Sequence, residues 1–227
     1  GSNYVWDFSS LIPNSQSVKE FLPMSDAAPF VQFMFGPFAT SSYRASFFNA
    51  FTQLPIDQIS LFLPVTIDNV YQYSRKTNDS LTAVGYSISI NGTGIPFESE
   101  MIEKQYSYPA SFGNSFTSYG KTTIDFNPII DATWIQQKTR VSSIDGYGLL
   151  TTPFGTFDVV RIKNDINELD SIRVAQLGGV WFPLPVPLSH EYEWWTKNHK
   201  IPVLKITTTE IAGIENITSI EYQDIYR

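Results

Sequence analysis

The segment HEYEWW (190–195) contains residue types that are used in two kinds of hydrolysis. A zinc protease motif needs His-Glu-x-x-His on a helix, so that both imidazoles lie on one face and bind the metal. Here the second histidine position holds Trp194, and the run Tyr-Glu-Trp-Trp favours a strand over a helix. His199 is the one other histidine of the chain. We therefore expect no metal site, and no cofactor is predicted.

Glu191 and Glu193 are the candidate acids of a glycoside hydrolase. Strand alternation divides the segment between two faces, with Glu191, Glu193 and Trp195 on one and His190, Tyr192 and Trp194 on the other. Retaining glycosidases hold their carboxyl groups about 5–5.5 Å apart, and same-face Cα atoms on a strand lie about 6.6 Å apart. The reaction, however, needs the two acids on opposite sides of the sugar. We expect solvent-facing carboxylates, and a hydrolase is the least favoured function.

Two glycine-containing segments resemble phosphate-binding loops. YGKTT (119–123) ends like a P-loop, but Ser115 stands where that motif needs its first glycine, and a strand-like run follows instead of a helix. In DGYGLLTTPFGTFDVVRIK (145–163) the residues after Gly155 are likewise β-branched and alternating. Because neither segment leads into a helix N-terminus, neither is expected to bind a phosphate. The glycines are predicted to be turn residues.

The segment GGVWFPLPVPLSHEYEWW (178–195) is the first candidate for ligand binding. Its alternating prolines cannot donate to a β-ladder, so part of it is predicted to be an edge strand or an extended loop. Such an apolar segment either packs over the core as a lid, with Gly178-Gly179 as its hinge, or exposes its side chains to a partner. Three of the five tryptophans lie here, and aromatic rings dominate the recognition of sugars and apolar ligands. A glycan or an apolar small molecule is expected to contact the aromatic residues Trp181, Phe182, Tyr192, Trp194 and Trp195.

Alternating runs of β-branched and aromatic residues, separated by turn signals, predict many strands from residue 69 onward. These runs are 69–76, 80–90, 122–126, 132–144, 190–195, 202–211 and 217–226, with turns at 77–79 and 91–94. A hairpin is expected over 147–163, with Asp145-Gly146 turning into it and Pro153-Phe154-Gly155 at its tip. The sequence therefore predicts an all-β fold: a mainly antiparallel sandwich or a curved, half-barrel-like sheet.

The N-terminal third is less regular. At most one or two short helices are expected in the chain, and the first candidate is the stretch 42–53, which also fits a buried strand. The dense aromatic residues between Phe30 and Phe62 are interpreted as core.

The composition limits the class of protein. A length of 227 residues suits a single β-rich domain over 3–227 that needs no metal or disulfide, and the chain has no cysteine. The net charge of −7, with no run of Lys or Arg, disfavours a nucleic-acid partner. No apolar run reaches the ~18 residues of a membrane-spanning helix. Gly1-Ser2 resembles a cloning remnant, so we expect that a leader peptide has been removed.

Charged residues make up 16% of the chain, against about 25% in ordinary globular domains, and aromatic residues make up 15%. A chain that is poor in charge and rich in aromatic and hydroxyl side chains is typical of secreted β domains. This composition favours a secreted, periplasmic or cell-surface location.

Several segments, in their order along the chain, resemble one family. They are YVWDFSSL, YQYSRKTNDSLTAVGY, YSYPASFGNSFTS, IDGYGLLTTPFGTFDVVRIK and YEWWTKNHKIPVLKI, within residues 4–206. The chain resembles a secreted domain of unknown function from Bacteroidota, of the kind that commonly precedes a type IX secretion C-terminal sorting domain. The resemblance implies export and a β-rich fold, and it supplies no catalytic residues. No sorting tail is recognisable after Arg227, so we expect that the tail is absent or was removed.

Three functions are compatible with the sequence. We favour a secreted or cell-envelope binding or accessory module without catalysis. The alternative is a carrier of an apolar ligand in a half-barrel cavity, with the proline segment as its lid. The last is the carboxylate-dependent hydrolase.

Overall fold

The computed structural model of the chain describes residues 1–52, 67–90 and 92–224. Strands make up 60% of the described residues and join into one twelve-stranded sheet. Within the described ranges the structure has one α-helix and two 3-10 helices. The predicted all-β, mainly antiparallel fold is confirmed. Among these residues no helix has the length and apolar character needed to span a lipid bilayer.

The elements are numbered in chain order. The helices are α1 (Pro29–Phe35) and the 3-10 helices Met24–Asp26 and Ala175–Leu177. The strands are β1 (Tyr4–Asp7), β2 (Phe47–Ala50), β3 (Ile67–Lys76), β4 (Ser80–Ile90), β5 (Thr93–Ser107), β6 (Ser115–Asp125), β7 (Ala132–Thr152), β8 (Gly155–Val174), β9 (Trp181–Leu184), β10 (Leu188–Trp195), β11 (Leu204–Ile211) and β12 (Ile214–Tyr222).

The sheet is open, with β12 and β2 at its two ends. Its order is β12-β11-β10-β8-β7-β6-β5-β4-β3-β2, and neighbouring strands are antiparallel. β1 pairs with β7 in parallel, and the proline-containing β9 pairs with β8 as an edge strand. The predicted edge position of the proline segment is therefore confirmed.

The hairpin of β7 and β8 is the longest element of the sheet. These strands have 21 and 20 residues, and they meet at the predicted tip, where Thr152 pairs with Gly155. The predicted turn at Asp145-Gly146 is wrong, because β7 continues through it with a bulge between Ile144 and Gly146. Arg161 of β8 donates two hydrogen bonds of 2.8 Å to the Asp145 carboxylate. Asp145 is thus the one extra residue of a β-bulge, and the ladder between β7 and β8 continues at Gly146.

The sheet is strongly curved. β5 and β10 are separated by β6, β7 and β8, so four strand spacings of about 4.8 Å would place them about 19 Å apart in a flat sheet. Yet the Tyr106 hydroxyl of β5 donates to the Glu193 carboxylate of β10 at 2.7 Å. We call the concave side, which holds these two side chains, the inner face and the opposite side the outer face.

The inner face has an apolar end and a polar middle. At the apolar end, residues of β3, β4, β6, β7 and β8 pack around the fully buried Trp134. Leu184 and the half-buried Phe182 of β9 close this cluster, which supports the lid interpretation of the proline segment. The polar middle contains buried charges on β5, β7, β8 and β10, and these are described with the site below.

The outer face is covered at two places. α1 covers β3 and β4, where Phe35 stacks on Tyr73 with ring centroids 4.6 Å apart. Near the hairpin tip, Trp6 and Phe8 of the N-terminal segment cover Leu150 and Trp194.

The helix lies outside the stretch expected from sequence. α1 occupies 29–35, whereas the described part of 42–53 contains the strand β2, so the helical alternative for 42–53 is wrong. Phe48 explains the difference, because its ring is buried against Tyr71 and Tyr73 across the strand pair with β3. Residue 53 lies outside the described residues.

The described aromatic residues between 30 and 62 differ in burial, and three of them, Tyr43, Phe47 and Phe51, are half-buried. Phe35 and Phe48 are buried, as expected of core residues. Phe30, Phe33 and Phe38 are exposed, so the core interpretation is wrong for them. Residues 53–62 of this region lie outside the described residues.

Candidate ligand-binding cleft

An open cleft of about 1060 Å³ lies on the inner face near the hairpin tip. It is bounded by the N-terminal segment, the β5–β6 connection, the distal parts of β7 and β8, and the end of β10. Its lining is mainly aromatic and aliphatic, with polar residues among them: Asn3, Tyr4, Val5, Tyr108, Ala110, Ser111, Phe112, Tyr147, Gly148, Leu149, Asp158, Val159, Val160, Trp195, Thr196 and Lys197.

The bulge in β7 produces much of this lining. Before the bulge the even-numbered residues of β7 face inward, as the buried Arg140 and Ser142 show. Beyond it, Tyr147 pairs with Val160 and Leu149 pairs with Asp158, so the odd-numbered residues lie on the inner face. A bulge changes the face of every residue that follows it. It therefore brings Tyr147 and Leu149 into the cleft.

The first strand completes one side of the cleft. β6 ends its pairing with β7 at Ser143, and β7 continues for nine more residues, to Thr152. β1 pairs with the exposed edge of this extension, with Tyr4 opposite Gly148. Gly148 is needed there, since a Cβ at this position would lie 1.9 Å from the Tyr4 carbonyl oxygen.

Trp195 lines the cleft and is held in place from inside the protein. Its indole Nε1 donates to the Glu193 carboxylate at 3.0 Å, and the Tyr106 hydroxyl donates to the same oxygen at 2.7 Å. The Tyr106 and Trp195 rings meet edge to face, with centroids 5.2 Å apart. Higher in the cleft, Phe112 and Tyr147 form a second edge-to-face pair at 5.4 Å.

A buried ion-pair network lies directly beneath Trp195. Arg140 contacts Glu103 at 2.7 Å and Glu191 at 3.2 Å, and Lys205 contacts Glu191 at 2.5 Å and Glu193 at 3.5 Å. Burial alone would raise the pKa of the Glu191 carboxyl, but the positive charges of Lys205 and Arg140 outweigh it and lower the pKa to about 2. Glu191 is therefore ionised at neutral pH.

A second polar group separates this network from the apolar end. Lys138 pairs with Glu168 at 3.1 Å, and Gln136 donates to the same carboxylate at 2.7 Å. Trp134 donates to Asp170 at 3.1 Å. Burial, followed by the negative charge of Glu168, raises the pKa of the Asp170 carboxyl to about 8. Asp170 is therefore protonated at neutral pH.

The two glutamates considered for hydrolysis are not solvent-facing, so that expectation is wrong. Glu191 and Glu193 are 5% and 1% exposed, and each accepts charge-assisted or neutral hydrogen bonds within the protein. They share one face of β10, as strand alternation predicted. This arrangement gives neither carboxylate access to a substrate.

The histidines lie elsewhere. His190 is on the outer face of β10 and contacts Asp165 at 2.5 Å and Glu210 at 3.4 Å. His199 contacts Gln223 at 2.6 Å. No cluster of three or more His, Asp or Glu side chains with the arrangement of a metal site occurs within the described ranges.

The structure separates the five aromatic residues proposed from sequence as a binding site. Trp195 lines the cleft, whereas Tyr192 and the buried Trp194 pack in the cluster on the outer face. Trp181 and Phe182 lie on β9, which pairs with β8 at residues 170–173. On β8, Trp195 pairs with Val160 and Trp181 pairs with Arg173. These two β8 residues are thirteen positions apart, or roughly 43 Å along the strand.

Sequence reasoning missed most of the cleft. The sequence predicts a hairpin over 147–163, which contains Tyr147 and Leu149, but it predicts a turn at Asp145-Gly146 where the structure has the bulge that sets their face. Tyr108 and Phe112 lie in the connection Tyr-Pro-Ala-Ser-Phe-Gly-Asn between β5 and β6. Two aromatic residues spaced four apart in a short polar loop were the available signal there, because exposed aromatic residues in loops often bind ligands.

Comparisons of the chain with protein-family models, with curated proteins and with solved structures found no match.

Proposed function

We propose that this protein is an exported, non-catalytic binding module whose ligand occupies the cleft beside Trp195. The observation that carries the proposal is the aromatic cleft itself. Its volume of about 1060 Å³ is slightly above the ordinary range for small-molecule sites, about 300–1,000 Å³. Such sites combine apolar walls with a few polar groups, and this lining has that composition.

Export is supported by composition. The low share of charged residues and the high share of aromatic residues fit a secreted β domain, and the resemblance to a secreted Bacteroidota domain points in the same direction. An accessory role beside another domain belongs to this proposal.

The buried network favours binding over hydrolysis. A general acid and a nucleophile must reach the scissile bond, whereas Glu191 and Glu193 are buried and paired with Arg140 and Lys205. Their charges stabilise the protein interior and hold Trp195, so the cleft presents an aromatic surface to its ligand.

The second candidate function is a carrier of an apolar ligand. The aliphatic side chains of Val5, Leu149 and Val160 in the cleft favour it. Both functions use the same cleft, so one experiment tests the site before the ligand class is known.

The test compares two leucine-to-arginine variants in a screen of glycans and lipids, followed by tryptophan fluorescence and thermal shift. Leu149 lines the cleft and is 44% exposed, whereas Leu169 is 64% exposed on the outer face of β8. We expect Leu149→Arg to weaken binding by about tenfold or more, because the charged chain fills the cleft. Leu169→Arg should bind like the unmodified protein. Equal binding by both variants would place the ligand elsewhere, and a screen without any binder would contradict a binding function.

A further inference from the structure

We propose that the ligand of the cleft is a carbohydrate, that the Trp195 indole is its stacking platform, and that Glu193 is a positioning residue for that platform. This inference rests on the proposed binding function and names the ligand class of the same site. Four features carry it: the fixed indole, the tyrosine hydroxyls, the polar rim and the open form of the cleft.

Trp195 is oriented more firmly than a surface tryptophan. Three contacts fix it: the hydrogen bond from Nε1 to Glu193, the edge-to-face contact with Tyr106, and the pairing of its backbone with Val160. The indole is only half-buried and lines the cleft. A rigid ring that keeps one side accessible loses little entropy when a flat ligand stacks on it. The C–H faces of sugar rings are such flat apolar surfaces.

Two tyrosine hydroxyls in the cleft are available to a ligand. Those of Tyr108 and Tyr147 form no hydrogen bond with any described residue. Burial raises the pKa of the Tyr108 hydroxyl, so it remains a neutral donor and acceptor at physiological pH. A ligand rich in hydroxyl groups satisfies both tyrosines, whereas an acyl chain would cover them and leave them unsatisfied at a cost.

The rim also favours a polar ligand. Lys197 and Asp158 line the cleft, and neither forms an ion pair with another residue of the described ranges. Ser111, Thr196 and Asn3 add neutral donors and acceptors. A carrier of apolar chains instead requires a closed aliphatic cavity that excludes water, while this cleft is open to solvent.

Glu193 couples the platform to the interior. Its carboxylate is fully buried and accepts from Trp195 and Tyr106, with Lys205 at 3.5 Å. Removing the carboxylate oxygen releases the indole edge without touching the cleft surface. Glutamine keeps an acceptor oxygen at this place, and leucine does not.

The first experiment measures binding by fluorescence titration and isothermal calorimetry. The probes are soluble oligosaccharides of β-linked glucose, α-linked glucose, xylose and N-acetylglucosamine, with oleate as the apolar comparison. We expect at least one oligosaccharide to bind, and Trp195→Ala to weaken it about thirtyfold, as for a central aromatic contact. The control is Phe38→Ala, an exposed aromatic residue that does not line the cleft, and its affinity should not change.

The second experiment tests Glu193 as a positioning residue. We expect Glu193→Gln to retain affinity within about threefold and Glu193→Leu to lose about tenfold, with the same oligosaccharide. If Glu193→Leu does not fold, Tyr106→Phe removes the other neutral donor to the Glu193 carboxylate. It should then shift the tryptophan emission and weaken oligosaccharide binding, and an unchanged emission and affinity would overturn the positioning role. Glutamine and leucine variants that both fold and bind equally would overturn the positioning role.

The outcomes separate this inference from the proposed function. Binding of oleate alone, blocked by Leu149→Arg, would overturn the carbohydrate ligand and retain a binding module. Carbohydrate binding that Trp195→Ala leaves unchanged would overturn the platform. Absence of binding by every probe class would overturn both proposals.

Discussion

Replacing Arg140 by methionine tests whether the polar interior is a dry ion-pair network. Arg140 is buried and bridges Glu103 and Glu191, whose side chains are 5% and 6% exposed. Methionine keeps the apolar stem and removes the charge. Glu191 retains Lys205, but Glu103 loses the cation that lies 2.7 Å away. Lys138 also interacts electrostatically with Glu103, but its ion pair is with Glu168. Removing one partner of a buried ion pair costs about 3–5 kcal/mol, because the remaining charge stays buried without that partner.

This cost is a large fraction of the about 5–15 kcal/mol by which natural domains are stable. For a chain of this length, 1 kcal/mol lowers Tm by about 2–4 °C, so Arg140→Met should lower Tm by about 6–20 °C. The free energy of unfolding is measured by urea denaturation at pH 7. Arg173→Met is the matched control, because Arg173 pairs with Asp131 at the surface, and exposed pairs contribute about 0–1 kcal/mol.

A double variant identifies the source of the loss. In the double variant with Arg140→Met and Glu103→Gln, the side chain at position 103 is a neutral amide. The two substitutions together should therefore lower the free energy of unfolding by less than the sum of the two single losses. If Arg140→Met costs no more than Arg173→Met, water reaches the network and the description of a desolvated interior is incorrect.

Three further substitutions have expected outcomes that urea denaturation or hydrogen exchange can check. Leu150→Asp should lower the free energy of unfolding by at least about 3 kcal/mol, because Leu150 is 0% exposed. Leu149 is its neighbour on the opposite face, and Leu149→Asp should lower it by under about 1 kcal/mol. Equal losses in the two variants would refute the assignment of these residues to opposite faces. Asp170 keeps its proton in the folded state up to about pH 8, whereas the unfolded chain releases it near about pH 4. Its contribution to stability therefore falls as pH rises from about 4 to about 8. Asp170→Asn should remove this pH dependence, and an unchanged pH profile of the unfolding free energy would contradict the raised pKa. Gly148→Ala should release β1 and speed hydrogen exchange at residues 4–7, since the new Cβ would lie 1.9 Å from the β1 backbone. Gly155→Ala is the control, because its new Cβ would have its nearest contact at 3.5 Å, and exchange at residues 4–7 should not change. Similar exchange in both variants would show that the β1 backbone shifts to accommodate the Cβ.

Local pattern was enough to place most strands. The predicted run 80–90 has the same bounds as β4, and Pro153-Phe154 forms the expected hairpin tip. Strand alternation also divided residues 190–195 between two faces correctly. These features depend on side chains that are close in sequence, where alternation and turn chemistry carry the signal.

Features that depend on distant partners were not predictable in this way. By local pattern Glu191 is a surface carboxylate. Its burial depends on two cations that are distant in sequence, Arg140 at 51 residues and Lys205 on the next strand. An Asp-Gly pair usually marks a turn, but Arg161 binds Asp145 and the long ladder with β8 makes a bulge more favourable. The helix was misplaced for a similar reason, since α1 depends on burying Val31 and Phe35 against the sheet.

The charges of the inner face account for the special position of Trp195. Among the described residues, the buried carboxyls there are Glu103, Glu168, Asp170, Glu191 and Glu193, and the cations are Lys138, Arg140 and Lys205. Lys205 lies closer to Glu191 than to Glu193, and the hydrogen bonds that the Glu193 carboxyl accepts come from two neutral donors. Those donors are the Tyr106 hydroxyl and the Trp195 indole. The indole that donates to this buried carboxyl is therefore also the one that lines the cleft, and its orientation is set by a hydrogen bond to the interior.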